Sequence, residues 1–600
     1  MSRKQSPHSA HPARPAPTTT SDGNVGGKLG VAAGLLALMC MALALRSWGI
    51  TWGLPGSERY YAYHPDETVL LHAICQTNPL WGDFTPDFYA YGSFTILLTR
   101  LAYDFLSSPL GWGPVPRYDQ PDFSLWVGDY AHLLLLGRWI TAILGAATVW
   151  PVFLTADRLY GRRAAWIAAA LAALCPMGVV LGHYLTVDVP SAFFSTATLA
   201  AAATAAASSV PAIRRRAMLT AALLCGIGVG IKYSVFPWFL ALVPVVLQGR
   251  REPPDRKAVA IDALLILGVG AAGFLIATPG VLLQPDRFIA DVSQELRYNR
   301  EGMGLLFQAA RPALLQHLLV SLPIGLEIVP YLLALVGLFL ATRRRTTGDA
   351  ILLIAALVFF LTLSGSARSY VRYVTPILPP LLILAAAAIG RGIETRFRPL
   401  WIAVGGLAMV TGAASAIAHA GVFAAPDSRD AAVAAIRSAT RPGDRVALAF
   451  NPWFQTPPLH PTAGCVLLGQ VYGGPPIWER TPGTPGAPFD LGPYQVLAPP
   501  SNTGALTVEA LDRYAPRFVL LSDYDDEDAE RIHAANPTFR SGILDLKARL
   551  NTGYRLHQEF RPRPTLGPLA WWRSGTPPHD WRYMMPTVRI YERIIEPGSP

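Results

Sequence analysis

Up to about residue 420 the chain is a succession of long apolar runs separated by short, arginine-rich stretches. The runs fall near residues 29–45, 133–155, 164–181, 189–208, 218–230, 234–247, 261–277, 322–341, 350–363, 374–389 and 401–420. As helices, runs of this kind cross a hydrocarbon core of ~30 Å. The pattern therefore predicts an α-helical polytopic membrane protein with about eleven transmembrane helices. The fifth and sixth runs are short and abut at Lys232-Tyr233.

Alternating the spans puts five basic clusters on one side: Arg158, Arg162 and Arg163; Arg214, Arg215 and Arg216; Arg250, Arg251, Arg256 and Lys257; Arg343, Arg344 and Arg345; and Arg391, Arg396 and Arg398. Basic residues are retained in the cytoplasm, which orients the protein in the plasma (inner) membrane. The loop 47–131, the turn 182–188, the Lys232 corner, the loop 278–321, the turn 364–373 and all that follows 421 are then extracytoplasmic. Residues 1–28, rich in Pro, Ser and Thr with Arg3, Lys4, Arg14 and Lys28, read as a disordered cytoplasmic tail. A cleaved signal peptide ending at Ala42-Leu43-Ala44 is the other reading, and it leaves everything after Arg46 on the same outer side.

After a membrane domain of 29–423, the stretch 424–600 turns soluble in composition. A helical pattern at 430–438 and apolar strand-like runs at 445–450 and 517–522 flank a Pro/Gly-rich stretch at 451–500, predicting a small extracytoplasmic α/β domain. Its acidic run 523–528 reads as a solvated loop in preference to a cation site. The segment 286–300 has amphipathic helical spacing, suiting either a helix on the membrane surface or a mobile lid. Trp52, Trp81, Trp112, Trp126 and Trp139 fit an aromatic belt at the outer boundary better than a sugar-stacking surface.

With 52% hydrophobic and 15% charged residues among 600, a large soluble enzyme is excluded. The net charge of +10 is accounted for by the cytoplasmic loops, so nucleic acid is not expected as a partner. Cys40, Cys175 and Cys225 fall in apolar runs, whereas Cys75 and Cys465 lie outside them and could pair; the five cysteines show no metal-binding spacing.

The candidate chemistry lies on the outer side. Tyr63-His64-Pro65-Asp66-Glu67 places two carboxylates just beyond the first span. Proline followed by acids is also an ordinary helix start. Asp188, however, sits at the outer end of a span, where an unpaired charge is costly. Lys232 lies at a similar depth and Arg372 just before another span, so acids and bases converge on one membrane surface. That set suits attack of a hydroxyl on a sugar whose leaving group is a polyprenyl phosphate. Lys232 and Arg372 would supply counter-charge to the phosphate. Asp66 would act as the base, with Glu67 and Asp188 as supporting carboxylates, and the sugar would be inverted.

The order of Tyr63–Glu67, Phe88-Tyr89-Ala90-Tyr91-Gly92-Ser93-Phe94, His183–Asp188, Gly230-Ile231-Lys232-Tyr233 and Arg372-Tyr373-Val374-Thr375-Pro376 resembles the glycosyltransferase C (GT-C) superfamily, with protein O-mannosyltransferase-like and lipid A aminoarabinose transferase-like enzymes as the nearest branches. The resemblance spans about residues 29–389. It implies a polyprenyl-phosphate-sugar donor, a protein, lipid or glycan acceptor, and acidic residues in the first two outer loops, matching Asp66 and Asp188. It also implies substrate-binding roles around Tyr91, His183 and Tyr373, although His183 reads equally well as a hydrogen-bonded interfacial histidine. Some relatives carry Glu or Lys before Pro where this chain has Tyr91-Gly92, so contacts made there do not transfer. A divalent metal ion, with His64, His72 and His183 as possible contributors, is left open. The competing class is a transporter or flippase of lipid-linked sugars, and a silent receptor is a third; no internal repeat or matched pair of broken helices supports transport, and no P-loop supports an ATP-driven pump.

Overall fold

The computed structural model describes residues 23–116, 127–248, 256–450, 453–459, 489–490, 494–499, 504–572 and 575–594. Trp126, Arg250, Arg251, Cys465 and most of the tail 1–28 lie outside them. Seven helices among the described residues are long and apolar enough to cross a membrane, or up to eight if one bent pair counts as a single span. Proline and charge explain why fewer pass this test than the apolar runs suggest. The run 164–181 is divided between Arg162–Ala173 and Pro176–Leu181. The run 234–247 is a 3-10 helix, Tyr233–Leu242, with Pro237 inside it, followed by Val243–Leu247. The helix Pro211–Val229 carries three arginines. At Glu327, whose φ is +72°, the chain turns by 117° between 313–326 and Ile328–Arg344.

The helix Leu378–Gly392 is buried along nearly its whole length and forms the post around which the others pack. Arg46, which closes the first apolar run, points into the bundle and donates to Ala42 O at 2.8 Å and Ala173 O at 3.2 Å. On the basic side Arg163 pairs with Glu394 at 2.9 Å, joining two of the arginine-rich loops.

The C-terminal region contains strands β1 (Asp444–Leu448), β2 (Phe489–Asp490), β3 (Tyr494–Leu497), β4 (Phe518–Ser522), β5 (Tyr554–Phe560), β6 (Thr565–Leu566), β7 (Leu569–Ala570) and β8 (Val588–Arg593). Six of them form a mixed sheet in the order β2-β3-β1-β4-β8-β5, parallel across β3-β1-β4. Side chains alternate along each strand. Thus Val446 and Leu448 pack on the helix Ser428–Ala439, while Ala447 faces the helix Gly542–Gly553 on the other side. The acidic run 523–528 is not a loop. Ser522 and Asp525 form a capping box that starts the helix Asp523–Ala535, and Asp523 and Asp526 are buried.

The sheet domain is bonded to the segment that follows the first apolar helix. Trp52 donates to Asp427 at 3.0 Å, Arg59 pairs with Asp430 at 3.2 Å, and the Tyr61 hydroxyl donates to Thr456 O at 3.0 Å. Trp52 is therefore an interior ring rather than part of a belt, and Trp112 stacks on His132. Trp81 and Trp139 are exposed.

Candidate functional site

Pro65 opens the helix Pro65–Gln76, with Asp66 and Glu67 in its first turn. Successive helical residues point about 100° apart, so these neighbouring carboxylates part company. Asp66 meets Arg372, Oδ2 to Nη2, at 2.8 Å. Glu67 points inward, fully buried, where Arg138 holds both its oxygens at 2.8 and 2.7 Å and the Leu185 amide donates to Oε1 at 2.9 Å.

Asp188 heads the helix Asp188–Ala207, whose positive end favours its charge. Lys232 Nζ donates to it at 2.6 Å, and Arg372 Nε lies 3.9 Å from its other oxygen. Arg372 thus stands between Asp66 and Asp188. Arg368, four residues earlier in the chain, pairs with Glu295 at 2.8 Å and donates to the Tyr373 hydroxyl at 2.7 Å. The Lys232 ammonium lies 4.8 Å from the Tyr373 ring centre. Arg372 Nη1 and Arg368 Nε are buried without a hydrogen-bond partner among the described residues.

Two cavities meet at this cluster. The inner one, about 610 Å³, is lined by Asp188, Lys232 and Tyr373 together with apolar groups such as Phe236, Pro237 and Leu363. The outer one, about 710 Å³, runs between the membrane helices and the sheet domain and is lined by Asp66, Trp453, Tyr524 and Asp525. Tyr91, Glu295, Arg368 and Arg372 line both and form the common wall. Tyr91 is placed there by a close approach of two backbones: Gly92 N donates to Ile231 O at 3.2 Å, and a Cβ on Gly92 would lie 1.9 Å from Gly230 O. The Tyr233 hydroxyl adds a bond to Tyr91 O at 3.0 Å. Burial, with Asp66 nearby, pushes the Tyr91 phenol well above its usual range and keeps it neutral.

Of the residues expected from sequence, Asp66, Asp188, Lys232, Arg372, Tyr91 and Tyr373 come together. Glu67 does not join them: it is buried with both oxygens engaged by Arg138 and Oε1 also by the Leu185 amide, which ties the start of the helix Pro65–Gln76 to the bundle. Nor does His183, whose ring nitrogens lie 2.8 Å from Val179 O and 3.1 Å from Trp48 O while its ring stacks on Phe423. His64 is enclosed between Tyr184 and Tyr583, and burial drives its imidazole well below its usual range. Among the described residues no three His, Cys, Asp or Glu side chains are grouped to hold a metal ion. Asp66 and Asp188 are each engaged by a cation, so this donor set does not fit a metal centre.

Sequence reasoning missed Arg138, Arg368, Glu295 and Asp580. Arg138 lies inside a long apolar run, itself a signal for a buried partner. Glu295 sits in the helix Pro285–Glu301, which has no buried residue and contributes Val292, Glu295 and Leu296 to the inner cavity.

Residues 133–276 match the family model of dolichyl-phosphate-mannose-protein mannosyltransferases, a stretch that includes Asp188 and Lys232. No curated protein matches the chain. Among solved structures, the Archaeoglobus fulgidus oligosaccharyltransferase AglB in complex with an inhibitory peptide and a dolichol-phosphate is similar over 93% of this chain and 77% of its own, at 14% identity and a TM-score of 0.52. The same enzyme tethered with an acceptor peptide is similar over 90% and 74%, at 14% identity and a TM-score of 0.50. ArnT from Cupriavidus metallidurans bound to undecaprenyl phosphate is similar over 94% and 98%, at 14% identity and a TM-score of 0.46. Identity this low speaks to fold, and it is the family match within the membrane half that adds to it. The chain is an integral membrane protein that shares the fold of the Archaeoglobus fulgidus oligosaccharyltransferase and carries, over residues 133–276, the match to the mannosyltransferase family model.

Proposed function

We propose that the protein is an inverting glycosyltransferase that moves a sugar from a polyprenyl-phosphate donor to an acceptor hydroxyl on the extracytoplasmic face. The observation that carries this reading is the pair of cavities divided by one charged wall, with Asp66 on the outer side and Lys232 and Asp188 on the inner. The inner cavity, walled by apolar residues at the membrane edge, suits a lipid phosphate. Lys232, Arg368 and Arg372 are its counter-charges, and the unpartnered Arg372 Nη1 and Arg368 Nε are donors ready for phosphate oxygens. The outer cavity takes the acceptor.

Three cations here are matched by three carboxylates, Asp66, Asp188 and Glu295. A donor phosphate therefore competes with Asp66 for the Arg372 guanidinium. Releasing Asp66 from that ion pair leaves a carboxylate facing the acceptor side, able to take the hydroxyl proton as the oxygen attacks the anomeric carbon from the face opposite the phosphate. The C–O bond to phosphate breaks with its electron pair on the phosphate, which leaves as the polyprenyl phosphate anion. The basic-loop pattern supports the orientation, with the domain 424–600 outside.

The test compares cell-envelope glycans and polyprenyl-phosphate sugars by mass spectrometry in a deletion strain complemented with wild type or Asp66→Asn. Wild type alone should restore a missing glycan, with the donor accumulating in the variant. Full restoration by an inserted Asp66→Asn protein removes Asp66 as the base and brings the transport reading forward.

A further inference from the structure

The Val371 and Arg372 amides are held by a carboxylate from a distant part of the chain and not by a side-chain cap of their own helix. Arg372 belongs to the short 3-10 helix Val371–Ile377, and its N-cap residue Tyr370 makes no side-chain cap. The first amides of a helix need acceptors. Here they find them in the sheet domain: Asp580 Oδ1 accepts from the Val371 amide at 3.1 Å and Oδ2 from the Arg372 amide at 2.9 Å. Asp580 is 5% exposed and sits on the turn His579–Trp581. That turn is pinned in its own right, since the Tyr524 hydroxyl donates to His579 O at 2.7 Å and Trp581 Nε1 donates to His419 Nε2 at 3.3 Å.

We propose that Asp580 is a positioning residue: by capping this helix from the sheet domain it fixes the Arg372 guanidinium between Asp66 and Asp188, so that the domain on the acceptor side sets the geometry of the donor-phosphate site. The donor-phosphate part rests on the function proposed above; the capping of Arg372 does not. One carboxylate replaces two missing caps at once, and losing it leaves two amides buried and unpaired beside the residue that divides the cavities.

The experiment uses the full chain in detergent, with Asp580→Ala, Asp580→Asn and, as a control on the same turn, Trp581→Phe, which loses the bond to His419 but keeps the cap. Undecaprenyl phosphate is the binding probe. Modification of Arg372 by phenylglyoxal, followed by peptide mass spectrometry with buried Arg46 as the internal reference, reports guanidinium shielding without any donor. Asp580→Ala should bind the probe about tenfold more weakly and expose Arg372 to modification, with Arg46 unchanged. Asp580→Asn, which keeps one carbonyl acceptor, should fall between Asp580→Ala and wild type, and Trp581→Phe should lower stability without either effect. Faster Arg372 modification in a protein whose wild type fails to bind the probe upholds the role of Asp580 and overturns the donor reading. Wild-type affinity and wild-type Arg372 shielding in a folded Asp580→Ala overturn the role of Asp580. If Asp580→Ala does not fold, an unchanged Asp580→Asn does the same.

Discussion

The two cavities share a wall but differ in what surrounds it. Arg368 and Arg372 belong to both; the inner cavity adds Lys232 beside aliphatic and aromatic side chains such as Leu363 and Phe236, whereas the outer cavity adds Trp453, Tyr524 and the acidic residues Asp66, Asp525 and Asp528. A lipid phosphate needs the first kind of surface, and a neutral hydroxyl-bearing acceptor the second. On the proposed function, the contrast teaches that counter-charge and proton abstraction lie on two sides of one wall, in which Arg372 stands between Asp66 and Asp188.

Asp66→Asn should break the arrangement most severely, lowering transfer by about a hundred- to ten-thousand-fold with probe binding retained, as measured by in vitro transfer and undecaprenyl phosphate affinity. Glu67→Gln, behind the wall, should act on folding instead: a buried Arg138 left without its charge partner costs about 3–5 kcal/mol, seen as a lower Tm with cavity chemistry intact in the remaining folded protein. Lys232→Met should weaken undecaprenyl phosphate binding by about tenfold and raise the KM for donor only. Trp453→Ala should do the reverse, raising the acceptor KM by about three- to tenfold and leaving the donor KM unchanged. The smallest effect concerns pH. Burial raises the Asp525 carboxyl to about 7 from a usual value near 4, so folding takes up a proton across that interval and the contribution of Asp525 to stability declines as pH rises through it. Asp525→Asn should therefore gain in Tm over wild type between pH 5 and pH 8, as read by thermal melts.

Much of the site was legible because charge is scarce in apolar sequence: Asp188, Lys232 and Arg372 stand out against their surroundings, and each lines the inner cavity. Strands β1 and β4 were equally visible as apolar runs in a polar region. Glu67 was misread because adjacency in sequence says nothing of direction, and the turn of a helix sent Asp66 and Glu67 to opposite environments. His183 was left with two readings because a histidine at a span boundary looks the same in sequence whether its ring is satisfied by carbonyls or open to a ligand, and its contacts with Val179 O and Trp48 O match the first. Asp580 was invisible for a third reason. Its partners are backbone amides, which leave no signature in a sequence, and they lie 208 and 209 residues away.

That separation also has a meaning in time. A ribosome adds roughly 5–20 residues per second, so Arg372 leaves the tunnel on the order of 10–40 s before Asp580 does. Throughout that interval the nascent chain already carries Asp66, Asp188 and Lys232 while the cap on Arg372 does not yet exist. A chain stalled or clipped in that stretch would hold a membrane cavity whose dividing guanidinium is unanchored, and completion of the site is thereby tied to completion of synthesis through Asp580.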